Sequence, residues 1–259
     1  MRVLVIDVGN TSTGIGLFSD GDVVDASHIK GGIRMNPALC VEALRKAAAY
    51  GVDGAVLGSV VPQINQRWQN LIQRDFGIET LSVNASLPMN ITIDYPRPEH
   101  IGADRLADAC GGVERYGAPL VVADFGTALT FDVIMPDNRY IGGVIAPGLP
   151  LMTDYLCERT ALLPHVDLKG ECPQVGRSTE EAMRIGAEVG YRGIVREIMT
   201  YLRNSMQVDF KLVATGGYAA WALRGMDMKF VIDEELTLFG LGCIFEKVEK
   251  VEGVKRVEG

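Results

Sequence analysis

Apolar residues fall in two rhythms along this chain, and the changes of rhythm predict where elements begin and end. Val3, Leu4, Val5 and Ile6 form an unbroken apolar run, which predicts a buried strand. The run ends at Asp7. A small, flexible stretch follows, Val8, Gly9, Asn10, Thr11, Ser12, Thr13 and Gly14, and then a second strand over 15–18. Asp20-Gly21-Asp22 is a turn, and 23–29 reads as a third strand. Residues 36–50 have helical spacing, with Leu39, Ala43, Leu44 and Ala47 on one face. Residues 54–61 are an apolar run stopped by Pro62, a second buried strand. Residues 63–76 predict a helix with Ile64, Trp68, Leu71 and Ile72 inward, and 80–83 a short strand.

The opening phrase returns in the second half. Leu120, Val121, Val122 and Ala123 lead into Asp124, then Phe125-Gly126-Thr127, then a strand through Asp132. Before it, 89–100 is an extended loop, because Tyr95-Pro96 and Arg97-Pro98 deny it helix. That loop delivers Gly102, Ala103, Asp104 and Arg105 to the start of a helix reaching about Tyr116. Gly117-Ala118-Pro119 marks the boundary between a domain over 1–117 and another over 118–259. Asp137-Asn138 is a turn, 140–148 a strand and Gly-rich loop, and 149–163 a helix ended by Pro164. Ser178 or Thr179 caps a long helix running to about Leu202, with Glu180 and Glu181 in its first turn. Gly186, Gly190 and Gly193 within it suggest close packing against another helix, across a dimer interface. Residues 210–215 form a strand meeting Gly216-Gly217. Residues 236–247 form a closing helix, and 247–259 a charged, frayed or loosely docked tail.

The two acid-ended strands carry the candidate chemistry. Gly9 and Gly126 let the backbone come close to a ligand, and successive N–H groups in such a turn form an anion-binding nest. Thr11, Ser12, Thr13 and Thr127 add hydroxyl donors, a setting that suits the triphosphate of ATP. Asp7 and Asp124 would repel bare phosphate, so a cation must stand between them, and oxygen ligands suit Mg²⁺. One copy alone is an ordinary hairpin turn; the repetition favours the phosphate reading. No Gly-Lys-Ser/Thr closes either turn, and Gly14-x-Gly16 lies inside a strand, so neither a Walker A loop nor a dinucleotide fingerprint is present. Asp104 has two readings: an acid favoured by the helix dipole, or a general base. Arg105 either holds a substrate carboxylate or is a solvated charge. Gly216-Gly217 either admits the flat face of a nucleoside or is a tight turn.

Composition narrows the partners. A net charge of −8 repels nucleic acid and anionic membranes, so neither is expected. No apolar run approaches a membrane span, and the start of the chain does not read as a signal peptide. Five scattered cysteines without a Cys-x-x-Cys pair suit reduced thiols and a cytoplasmic location.

Taken together, the chain resembles a type III pantothenate kinase, within the superfamily of acetate and sugar kinases, actin and heat-shock chaperone ATPases. The carriers are Asp7-Val8-Gly9-Asn10-Thr11, Ser59-Val60-Val61-Pro62, Tyr95 before Gly102-Ala103-Asp104-Arg105, Asp124-Phe125-Gly126-Thr127, Gly142-Gly143-Val144-Ile145-Ala146-Pro147-Gly148, Gly176-Arg177-Ser178-Thr179 and Thr215-Gly216-Gly217. Gly58 departs from the pattern, standing where the family often has a Ser. The resemblance implies an α/β chain of two ribonuclease H-like domains, the duplication of actin-like ATPases, with ATP in a central cleft and usually a homodimer. It implies phosphoryl transfer from ATP to pantothenate, the first step toward coenzyme A. By that resemblance Asp104 is the base. Tyr95, Gly102, Ala103, Asp104 and Arg105 hold pantothenate, with Thr179 reaching it from a partner subunit. Asp7, Val8, Gly9, Asn10, Thr11, Ser12, Thr13, Gly14 and Thr127 hold ATP. Asp124 binds a monovalent cation, K⁺ or NH₄⁺, beside the Mg²⁺ that comes with ATP. Two rivals remain open: an ATP- or polyphosphate-hydrolysing relative, and a non-catalytic regulator.

Overall fold

The computed structural model describes residues 1–31, 37–49, 51–170 and 172–258; of 252 and 254–258 it describes the backbone alone. The first sheet holds β1 (Arg2–Val8), β2 (Ser12–Ser19), β3 (Asp22–Lys30), β4 (Gly54–Ser59) and β5 (Thr80–Ser82), in the order β3-β2-β1-β4-β5. β1 to β3 are antiparallel neighbours, while β4 runs parallel to β1 and β5 parallel to β4. The parallel centre explains the unbroken apolar runs, since strands covered on both faces have no polar side to alternate with. The helices of the chain are α1 (Val41–Ala47), α2 (Pro62–Phe76), α3 (Ala103–Tyr116), α4 (Leu149–Arg159), α5 (Thr179–Met206), α6 (Ala219–Leu223) and α7 (Leu236–Glu258). Leu4, Ile6, Leu57, Leu44, Trp68 and Ile72 share one core cluster, which seats α1 and α2 against this sheet.

The second sheet contains β6 (Thr92–Ile93), β7 (Leu120–Phe125), β8 (Ala128–Ile134), β9 (Arg139–Pro147), β10 (Lys211–Thr215) and β11 (Phe230–Ile232). Its order is β11-β10-β7-β8-β9-β6. Read from β9, the run β9-β8-β7-β10-β11 repeats β3-β2-β1-β4-β5 strand for strand. β10 and β11 are parallel, as β4 and β5 are. The expected α/β duplication is therefore present, with β6 added at one edge, parallel to β9.

Two compact units form. One comprises Met1–Leu120, Val133–Gly142 and Glu235–Gly259, the other Val121–Asp132 and Gly143–Glu234. The division expected from sequence assigns the last helix to the second half. In the structure α7 packs on α3, β1 and β2. Small residues permit the contact: a Cβ on Gly111 would stand 2.8 Å from the Leu236 carbonyl oxygen, and one on Gly240 would run into the Ala107 carbonyl. Leu236, Leu238, Phe239, Leu241, Ile244, Phe245 and Val248 are buried.

Several boundaries shift for local reasons. The helix expected over 36–50 opens with a 3₁₀ turn, Pro37–Cys40, before α1. Three residues per turn bring Pro37 and Cys40 inward and leave Leu39, expected on the buried face, 75% exposed. Asn36 and Tyr50 lie outside the described residues. α4 stops at Arg159, short of Pro164, because the Thr160 hydroxyl donates to the Leu156 carbonyl and accepts from the Leu163 N–H. The loop 89–100 contains β6 and a 3₁₀ turn, Pro98–His100. The Gly-rich segment 142–147 continues β9 instead of forming a loop. The tail 247–258 is the end of α7. Ser178 is the cap of α5, accepting from the Glu181 N–H at 3.1 Å. All five cysteines are free.

Candidate active site

The first acid-bearing turn is built by β1 and β2. Asp7 pairs with Gly14 and Val8 with Thr13, and Gly9 N–H closes the turn on the Ser12 carbonyl at 3.0 Å. The Val60 N–H donates to the Val8 carbonyl at 3.1 Å, tying the turn to the end of β4. Asp7 also lies opposite Gly58 in the parallel register. The eight predicted nucleotide residues of this turn divide by position. Asn10, Thr11 and Ser12 are exposed at the tip, and Asp7 and Gly9 are half-buried. Val8, Thr13 and Gly14 are buried, with the Thr13 hydroxyl donating to the Gly31 carbonyl at 3.5 Å. These three hold the hairpin.

The second turn is shorter. Gly126 N–H closes on the Ala128 carbonyl at 3.1 Å, two residues on, so the repeated motif folds into a tighter bend. The Asp124 carboxylate is seated between two glycines. A Cβ on Gly126 would lie 3.3 Å from Asp124 Oδ2, and one on Gly216 would collide with Oδ1. Gly216 has φ +88°, in the region that favours glycine. The Gly216-Gly217 junction between β10 and α6 thus has a specific use: it clears space for Asp124. Gly148, at the N-cap of α4, lets the start of that helix lie against the carbonyls of Gly126 and Thr127. The Tyr191 side chain of α5 is fully buried, with its ring edge-on to Phe125 at 6.2 Å between centroids. Burial first, and the Asp124 charge second, raise the Tyr191 hydroxyl well above its ordinary pKa. Sequence reading gave Tyr191 no part here.

The third group gathers at the head of α3. Asp104 occupies the first turn, half-buried, and its Oδ1 accepts from the Arg105 N–H at 2.8 Å. Its carboxylate folds back over Gly102, where any Cβ would collide with Oδ1. Desolvation pushes the Asp104 pKa up, opposed by the Arg105 N–H and the Arg105 charge. Such an acid is a better proton acceptor than an exposed one. Arg105 lies 5.9 Å from the centre of the Tyr140 ring, and Tyr140 lies 6.5 Å from Tyr95. Gly142, φ +106°, makes room for Tyr95, since a Cβ there would approach the ring to 3.1 Å. Tyr95, Arg105 and Tyr140 therefore form one group, of which Tyr140 was not foreseen.

Beside them is an open cleft of about 700 Å³ whose lining includes Ser59, Asn84, Ser86, His100, Gly102 and Ala103. That size suits a small-molecule ligand. Thr179 is exposed at the first position of α5 in the second unit, while the other predicted substrate residues all belong to the first. Among the described residues no cluster of three or more His, Cys, Asp or Glu is placed to hold a metal, and no helix is long and apolar enough to cross a membrane.

The model of the type III pantothenate kinase family matches residues 3–201. A type III pantothenate kinase of Akkermansia muciniphila is 43% identical over 93% of this chain and 97% of its own length. One from Methylacidiphilum infernorum is 38% identical over 94% and 88%. In fold, the chain is similar to an activator of 2-hydroxyisocaproyl-CoA dehydratase from Clostridium difficile with bound ADPNP. The TM-score is 0.59 at 12% identity, over 98% of both chains. It is likewise similar to a Baf family transcriptional activator from Campylobacter jejuni, TM-score 0.59 at 16% identity, over 95% and 98%. At such identities these two speak to the fold alone.

Proposed function

This chain belongs to the type III pantothenate kinase family, and we propose from that premise which of its residues phosphorylate pantothenate. The reaction transfers the γ-phosphoryl group of ATP to the primary hydroxyl of pantothenate and releases ADP, the first step toward coenzyme A. Asp104 takes the hydroxyl proton as the oxygen attacks phosphorus. The observation that carries this assignment is the Asp104 carboxylate itself: folded over a glycine at the head of α3, desolvated, and raised in pKa. Tyr95, Gly102, Ala103 and Arg105 hold pantothenate, with Arg105 offering a charged donor to its carboxylate. Thr179 reaches it from the second subunit of a homodimer. Asp7, Val8, Gly9, Asn10, Thr11, Ser12, Thr13, Gly14 and Thr127 bind the nucleotide through backbone N–H groups and hydroxyls. Phosphoryl transfer depends mostly on such positioning and on neutralised charge.

The divalent metal that accompanies ATP, here Mg²⁺, neutralises charge on the phosphate oxygens. Asp124 holds a monovalent cation, K⁺ or NH₄⁺. The glycine-lined seat of its carboxylate fits a hard cation that takes oxygen ligands. An acidic chain with five free thiols suits the cytoplasm.

A coupled assay tests the reading. ATP consumption must depend on pantothenate, one ADP per pantothenate phosphorylated. Equal consumption without pantothenate favours a hydrolase, and none at all favours a regulator. Asp104→Asn is expected to lower kcat about 10²–10⁴-fold with nucleotide binding retained. Near-full turnover in that variant removes Asp104 from the role of base.

A further inference from the structure

One buried polar atom in the second unit has no use in the reaction as assigned so far. The Tyr191 hydroxyl oxygen is enclosed, and it makes no hydrogen bond among the described residues. The Leu149 N–H approaches it without reaching hydrogen-bond geometry. A buried, unsatisfied hydroxyl costs about 1–3 kcal/mol, and a phenylalanine would fill the same space without that cost. The position is not random. The oxygen lies beside the first residues of α4, and Gly148 there is pressed against the Gly126 and Thr127 carbonyls. Those carbonyls belong to the turn that Asp124 opens. The ring that carries the hydroxyl packs against Phe125, the neighbour of Asp124. From the other side the bare Gly216 leaves room for the Asp124 carboxylate.

We propose that the Tyr191 hydroxyl oxygen is a further ligand of the monovalent cation held by Asp124. The inference rests on the reading of Asp124 as the cation's carboxylate ligand. A large singly charged cation has a loosely held hydration shell, which neutral protein oxygens can replace. One carboxylate matches its charge; the remaining positions call for uncharged oxygens. A phenol hydroxyl that stays protonated in a buried site supplies one. Tyr191 also ties the cation to α5, because its position in the helix is fixed by the buried neighbours Ala187, Val195 and Met199 on the same helix.

The experiment compares the parent protein with Tyr191→Phe and Asp124→Asn, each titrated with KCl against a constant ionic strength of choline chloride. Two quantities are read: the melting temperature without nucleotide or pantothenate, and the half-saturating K⁺ concentration for turnover. In the parent, K⁺ is expected to raise the melting temperature. In Tyr191→Phe the rise should require roughly tenfold more K⁺, as should activation. A merely structural role would move the K⁺-free melting temperature and leave the K⁺ titration alone. An unchanged K⁺ titration in Tyr191→Phe, alongside a lost one in Asp124→Asn, overturns the role of Tyr191 and leaves Asp124 standing. A K⁺ response unchanged in both variants overturns the Asp124 reading and, with it, the part assigned to Tyr191.

Discussion

At the scale of single residues, Asp104 shows how function opposes stability. Its raised pKa has a definite sign in folding. Below about pH 4, where an unfolded Asp is neutral, the side chain has no charge to desolvate in either state. As pH rises past that value the unfolded chain ionises readily and the folded one reluctantly, so the folded state loses stability until Asp104 has itself ionised. Asp104→Asn should therefore be more stable than the parent at pH 7. The difference should close as urea titrations are repeated toward pH 4. A variant equally stable at both pH values would mean that the carboxylate is not desolvated. Gly102 belongs to the same argument: Gly102→Ala forces the carboxylate out of its seat, and turnover should fall while the helix survives. Residues governed by local rules were legible in advance. Ser178 caps α5 because a short oxygen-bearing side chain before Glu180 and Glu181 satisfies an orphan N–H wherever it occurs. Tyr140 and Tyr191 were not legible, because their surroundings come from segments far away in sequence.

At the scale of elements, the outcome follows which neighbour sets the packing. α2 was placed nearly to the residue, since Ile64, Trp68, Leu71 and Ile72 keep a 3.6-residue rhythm against one flat partner. Leu39 failed because the first turn tightened to 3₁₀. β6 and β11 have only two and three residues, too short for any rhythm to register. Gly58, a departure from the family pattern, has an explanation in α7. A Cβ at Gly58 would lie 2.7 Å from Leu241 Cδ2, so the glycine lets the helix settle onto β4 beside Asp7. Gly58→Ser is expected to cost about 1–3 kcal/mol from overpacking. Leu241→Val should recover part of it, giving a favourable coupling in a double-mutant cycle read by urea unfolding. Strictly additive effects would show that the contact is not limiting.

At the scale of the whole molecule, the duplication was legible from two matched phrases in the sequence, but the partner of the last helix was not. Periodicity states that residues 236–247 have an apolar face; it does not state which sheet that face covers. In the structure the end of the chain returns to finish the first sheet. This makes the first unit a product of residues more than two hundred positions apart, such as Val5 and Leu238, which both lie against Gly16. Long-range closure of this kind slows folding, because the chain must order before the contacts compensate. It also makes α7 indispensable. Its seven buried apolar side chains contribute about 1.5–3 kcal/mol each, which together matches or exceeds the about 5–15 kcal/mol of a whole native fold. A chain ended after Glu235 should therefore lose the cooperative unfolding of the first unit and bind dye probes for exposed apolar surface. A chain ended after Lys250 keeps all seven side chains, and its urea midpoint should stay near that of the parent. Retention of a cooperative transition by the shorter chain would mean that the first sheet is complete without α7, and that the last helix belongs with the half of the chain that precedes it.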